Sequence, residues 1–197
     1  MRALALVAAL LAGCAGKLPA PASATAPATA QNEWKTLKAE HRVTLDVELE
    51  AGKHDRRTLR GAIAVERPDR FRLRALGPGG ITLFDLLSIA GQVKVLQSIR
   101  DPQASSLGAI VQSMAGDLSA AYQLEPAPPG RAVAVESGRV MVREPEREVT
   151  LSQFRVIAGK PVATRIDIVN RARHYTVGVD VTGLEVDVPL DPDLWKE

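Results

Sequence analysis

Apolar and polar residues alternate strictly over residues 37–50. Leu37, Ala39, His41, Val43, Leu45, Val47 and Leu49 share one parity, with Lys38, Glu40, Arg42, Thr44, Asp46, Glu48 and Glu50 on the other. A period of two over that length predicts a β-strand with one buried and one wet face. Residues 52–57 read as a polar turn, and Leu59, Gly61, Ile63 and Val65 resume the alternation. Pro68-Asp69 breaks it as a turn. Phe71, Leu73 and Ala75 then point one way and Arg70, Arg72 and Arg74 the other. The run Gly77, Pro78, Gly79, Gly80 predicts a tip loop, because it cannot sit inside a ladder. Residues 81–90 are apolar on both parities, broken chiefly by Asp85, which predicts a strand covered on both faces. Gly91 turns the chain into a further strand through Val93 and Val95.

The period then changes. Leu107, Ile110, Val111, Met114 and Leu118 form a helical stripe. Asp101 or Ser105 can cap it, and Pro102 suits its first turn. Gly108 and Gly116 each cost about 1 kcal/mol relative to Ala, so the expectation is an interrupted helix, ended by the prolines of residues 125–130. Strands return at 132–136, 139–144, 148–157, 162–170 and 175–182, and the short segment 184–189 leads into a polar tail with Trp195. Ten sequentially paired strands and one helix predict a mainly β chain. A curved antiparallel sheet would form an incomplete half-barrel lidded by the helix. Its apolar wall exceeds what one stripe can cover, and a large bare apolar patch marks a binding site or a liability.

Composition narrows the function classes. Lys and Arg number 25 against 23 Asp and Glu, so no global polyanion-binding signal arises. Aromatics at 4% argue against a base- or sugar-stacking platform. His41, His54 and His174 lack metal-ligand spacing. His41 shares the apolar parity of its strand, which fits either the rim of a cavity or a core position. No nucleophile elbow, phosphate loop or dinucleotide fingerprint occurs, so the sequence predicts no enzyme, cofactor or metal. Arg67, Arg70, Arg72 and Arg74 form a cationic row, either a solvated face or a contact for anionic head groups or an acidic partner.

The start of the chain carries a different signal. Arg2 precedes an uncharged apolar run too short to span a bilayer, with the length of a signal-peptide core. It ends in Leu11-Ala12-Gly13-Cys14, which resembles the lipobox of bacterial lipoproteins. By that resemblance residues 1–13 are a signal peptide, and Cys14 is lipidated and becomes the new N-terminus. Two or more acyl chains hold a protein on a membrane firmly. Residues 14–32, rich in Ala and Pro, would follow as a tether, leaving 33–197 as one domain. Ala15 after the cysteine, rather than an aspartate, favours outer-membrane sorting, with the domain facing the periplasm. Cys14 is the sole cysteine, so no intramolecular disulfide is available.

Residues 70–96, RFRLRALGPGGITLFDLLSIAGQVKVL, resemble the central hairpin of the LolB/LolA-like lipoprotein carriers and receptors. Arg60-Gly61 and the order of lipobox, tether, five strands, helix and further strands fit the same pattern. The resemblance implies an eleven-stranded incomplete barrel with an apolar cavity for the acyl chains of lipoproteins, and a soluble periplasmic carrier as partner. Nucleic acid is excluded by export. Gly79 stands where that family's receptor carries an exposed leucine; Leu76 and Ile81 bracket the loop. The expected lipid-cavity residues are Val43, Leu45, Val47, Ile63, Val65, Phe71, Leu73, Leu83 and Val95 on the sheet, and Ile110, Val111 and Met114 on the lid. The alternative is a non-catalytic tethered adaptor that docks an envelope partner through a sheet edge or the arginine face.

Overall fold

The computed structural model describes residues 34–49, 52–98, 104–122 and 132–196. Cys14, the signal segment and the tether lie outside the described residues. Strands β1 (Thr36–Glu48), β2 (His54–Glu66), β3 (Arg70–Leu76), β4 (Thr82–Ile89) and β5 (Gln92–Ser98) precede a helix, α1 (Ala104–Tyr122). Strands β6 (Ala132–Glu136), β7 (Arg139–Arg143), β8 (Arg147–Ile157), β9 (Lys160–Asn170) and β10 (Tyr175–Val186) follow it. All ten form one antiparallel sheet in the order β5-β4-β3-β2-β1-β10-β9-β8-β7-β6. The edge strands β5 and β6 do not pair, so the curved sheet stays open.

Two five-stranded meanders are thus joined along β1 and β10, from Leu37 opposite Val186 to Val47 opposite Tyr175. A bulge between Glu40 and His41 shifts this register. Alternation puts Leu37, Ala39, Val43, Leu45 and Val47 of β1 on the concave face, all buried. Ile63, Val65, Phe71, Leu73 and Leu86 continue that wall on one side, and Val179, Val177, Ile168, Ile166, Leu151 and Val149 on the other. Gly61 is required for close approach: a Cβ there would stand 1.9 Å from the Arg74 carbonyl oxygen on β3.

Helix α1 lies against the concave face and packs Val111, Met114, Ala115, Leu118, Ala121 and Tyr122 into the core. It runs without interruption through Gly108 and Gly116, correcting the expected break. Burial of its apolar stripe outweighs the helix cost of two glycines, about 2 kcal/mol together. The first half of β2 is also strand rather than the expected polar turn; His54 to Leu59 pair with Glu48 to Val43. At the C-terminus β10 extends to Val186, and a single 3-10 turn, Pro192–Trp195, follows. That turn lies on the outer face, where Arg72 Nη1 donates to the Leu194 carbonyl at 2.6 Å. β4 has apolar or paired residues on both faces from Asp85 to Ser88, all four buried.

Candidate functional site

A cleft opens between the helix and the N-terminal meander. Its walls are Val43, Leu45 and Val47 of β1, Leu59 of β2, Leu73 and Ala75 of β3, Phe84 of β4, and Val111 and Met114 of α1. Two polar side chains join them, Asp55 and Arg57. Free space within it is about 30 Å³, room for one or two waters and not for an acyl chain. The helix therefore closes over the cleft as a plug, and any chain-like ligand must displace part of it.

The lining includes Val43, Leu45, Val47, Leu73, Val111 and Met114 from the sequence-based set. Ile63, Val65 and Phe71 are fully buried core residues and do not line the cleft. Ile110 is partly buried against the core. Leu83 lies on the opposite face of β4, because Phe84 pairs with Ala75 and Leu86 with Leu73. Phe84 takes the place expected of Leu83. Val95 sits opposite Leu86 on the edge strand and is 44% exposed, outside the cleft. Asp55 and Arg57 escaped the sequence reading because 52–57 is polar on both parities, and Leu59 was placed in the alternation without being named to the cavity.

The two halves of α1 are held differently. Toward its C-terminal end Asp117 is buried and accepts three hydrogen bonds. Its Oδ2 takes Asn170 Nδ2 at 2.8 Å and the Tyr175 hydroxyl at 2.6 Å, and its Oδ1 takes Arg147 Nη1 at 2.8 Å. Glu144 holds the other side of the Arg147 fork. Burial, with the Asp117 carboxylate beside it, pushes the Tyr175 phenol well above its usual range. Arg67 Nη2 donates to the carbonyl of Tyr122, the last helical residue, at 2.8 Å. Over the cleft Val111 and Met114 meet the sheet through apolar contact, and Ser113 between them lies 3.1 Å from the Tyr175 hydroxyl. Gln112 Nε2 reaches the Val93 carbonyl only at 3.4 Å.

His41 occupies a core position, 2% exposed, and neither ring nitrogen has a hydrogen-bond partner. It stands opposite Gly61 and Val181 and does not line the cleft. Burial lowers its pKa to about 4. His54 meets Asp46 at 2.8 Å and His174 meets Glu48 at 3.6 Å at one end of the sheet. No group of three metal-ligating side chains occurs among the described residues.

The arginine row is paired within the fold. Arg72 and Arg74 both bind the buried Asp85, at 2.8 and 3.0 Å, and Arg70 binds Glu66 at 3.0 Å. Burial works against ionisation of Asp85, but the Arg72 and Arg74 hydrogen bonds hold its carboxyl below the usual range. Arg67 also lies over the Trp34 ring at 4.0 Å. The tip loop is a single 3-10 turn, Pro78–Gly80, with Gly79 and Gly80 at positive φ. Ile81 beside it is 62% exposed, whereas Leu76 is partly buried.

No family model matches the chain, and no curated protein matches it. Solved structures do. A LolA superfamily protein from Nitrosomonas europaea aligns over 85% of this chain and 94% of its own, with 8% identity and a TM-score of 0.49. A Vibrio parahaemolyticus domain assigned to outer membrane lipoprotein sorting covers 85% and 92%, with 10% identity and a TM-score of 0.48. A DUF1329 family protein from Desulfovibrio piger covers 84% and 91%, with 10% identity and a TM-score of 0.39. The chemistry of the cleft rests on this chain's own residues.

Proposed function

We propose that this protein binds the acyl chains of a lipoprotein or another lipid between its sheet and helix α1, as a membrane-anchored lipoprotein of the bacterial envelope facing the periplasm. The observation that carries this is the apolar cleft, closed by a helix segment that contacts it through Val111 and Met114. Unseating three apolar side chains, those two and Ile110, costs on the order of 6 kcal/mol at about 2 kcal/mol each. Ten methylenes of one acyl chain offset that, at about 0.8 kcal/mol apiece. Lifting the lid breaks the Ser113–Tyr175 hydrogen bond, while Asp117 and Tyr122 keep the C-terminal end of the helix on the sheet. The lipobox-like segment ending at Cys14 supports a lipid anchor, and Ala15 after it supports an outer-membrane location.

The test is a titration of the full chain with a dansyl-labelled fatty acid. Saturable fluorescence enhancement is expected, and it should be lost in Leu59→Asp, a partly buried lining residue, with the circular dichroism spectrum checking that the variant is folded. A wild-type chain that produces no enhancement overturns the proposal.

The open edges of the sheet favour a second reading. Val133 and Val135 on β6 and Val95 on β5 are 48%, 42% and 44% exposed. A tethered adaptor would add a partner's extended strand there.

A further inference from the structure

The concave wall is interrupted by charge at the mouth of the cleft. Asp55 and Arg57 occupy the inward parity of β2, opposite Val47 and Leu45. Arg57 Nε lies 3.2 and 3.0 Å from Asp55 Oδ1 and Oδ2, and its Nη2 lies 2.9 Å from Oδ2. Their side chains are 45% and 27% exposed, wet on one side and against Leu45, Val47 and Leu59 on the other. A partly exposed ion pair contributes little to stability. Valine or isoleucine at these positions would extend the wall; charge gives the mouth of the cleft a polar rim instead.

We infer that Asp55 and Arg57 select a lipid with a zwitterionic phosphate–ammonium head group, resting on the acyl-chain reading above. The chains would enter beneath Val111 and Met114, leaving the head at the mouth of the cleft. There the ion pair exchanges partners. The planar Arg57 fork takes the phosphate, a geometry that guanidinium matches bidentately. The Asp55 carboxylate accepts from the ammonium. Both charges on each side remain paired, so neither lipid nor protein buries an uncompensated charge. A head group carrying only negative charge would satisfy Arg57 while facing Asp55, and among the described residues the cleft lining supplies no second cation. Nearby Arg56 lies on the opposite parity of β2 and points to the outer face.

The experiment compares lipids labelled on an acyl chain with the same fluorophore, bearing either an ethanolamine or a glycerol head, alongside the dansyl fatty acid, on the full chain. The ethanolamine lipid is expected to bind about tenfold more tightly than the glycerol lipid. Arg57→Gln and Asp55→Asn should each bring the two affinities together while fatty-acid binding persists. Equal affinities in the wild-type chain, or a preference that survives both substitutions, overturn the head-group assignment and leave acyl-chain binding standing. Failure of all three probes to bind overturns both.

Discussion

Arg67 reaches from the turn between β2 and β3 to the carbonyl of Tyr122, 2.8 Å away, tying that turn to the end of helix α1. The same guanidinium stacks over Trp34, just ahead of β1. Arg67→Ala should therefore lower stability by about 2–3 kcal/mol, from one charge-assisted hydrogen bond and one cation–π contact. Urea unfolding at pH 7 measures it. A loss below half a kilocalorie would show that neither contact holds the helix.

Asp117 is the second anchor. Asp117→Asn keeps the shape but removes the charge that Arg147 and the Tyr175 hydroxyl address. A loss of about 2–3 kcal/mol is expected, against about 1 kcal/mol for Tyr175→Phe. Proteolysis should then cut within 104–122 faster than in the wild type.

His41 makes stability depend on pH. Its folded pKa of about 4 lies below the unfolded value of 6.5. Between those values the unfolded chain binds a proton that the folded chain refuses, so stability falls as pH drops from 6.5 to 4 and this contribution levels off below. The expected loss is about 3 kcal/mol at about 1.4 kcal/mol per pH unit. His41→Leu should flatten that part of the profile in urea midpoints taken from pH 7 to 4; an unchanged slope would assign it to other groups.

Two glycines should respond oppositely to alanine. At Gly61 the new methyl meets the Arg74 carbonyl at 1.9 Å, so β2 and β3 must separate and the variant should be severely destabilised. At Gly116 the nearest atom is a Val93 methyl at 4.0 Å, an ordinary contact. Helix propensity then gives a gain of about 1 kcal/mol. Thermal melts of the two variants decide both.

Strand order was legible where one face is greasy: β1 announces itself through seven alternating positions. The parity of β4 was not, because Leu83 and Phe84 are both apolar and only their pairing with β3 tells which faces inward. The arginine row looked solvated because its neutralising group, Asp85, lies on the next strand and read as a blemish in an apolar run. The cleft mouth was hidden for the converse reason. Asp55 and Arg57 are inward-facing residues with the chemistry of a turn, and hydrophobic periodicity cannot see them.

The adjacency of β1 and β10 constrains how this protein is made. Lys35 donates its backbone N–H to Asp187 at 2.8 Å across a sequence separation of 152 residues. Each meander can assemble from local hairpins, whereas their union waits for nearly the whole polypeptide and carries the largest loop-closure cost. One edge of β1 stays unpaired until β10 docks. A chain in which β10 has not yet docked leaves the backbone edge of β1 unpaired, the kind of edge that recruits any passing strand.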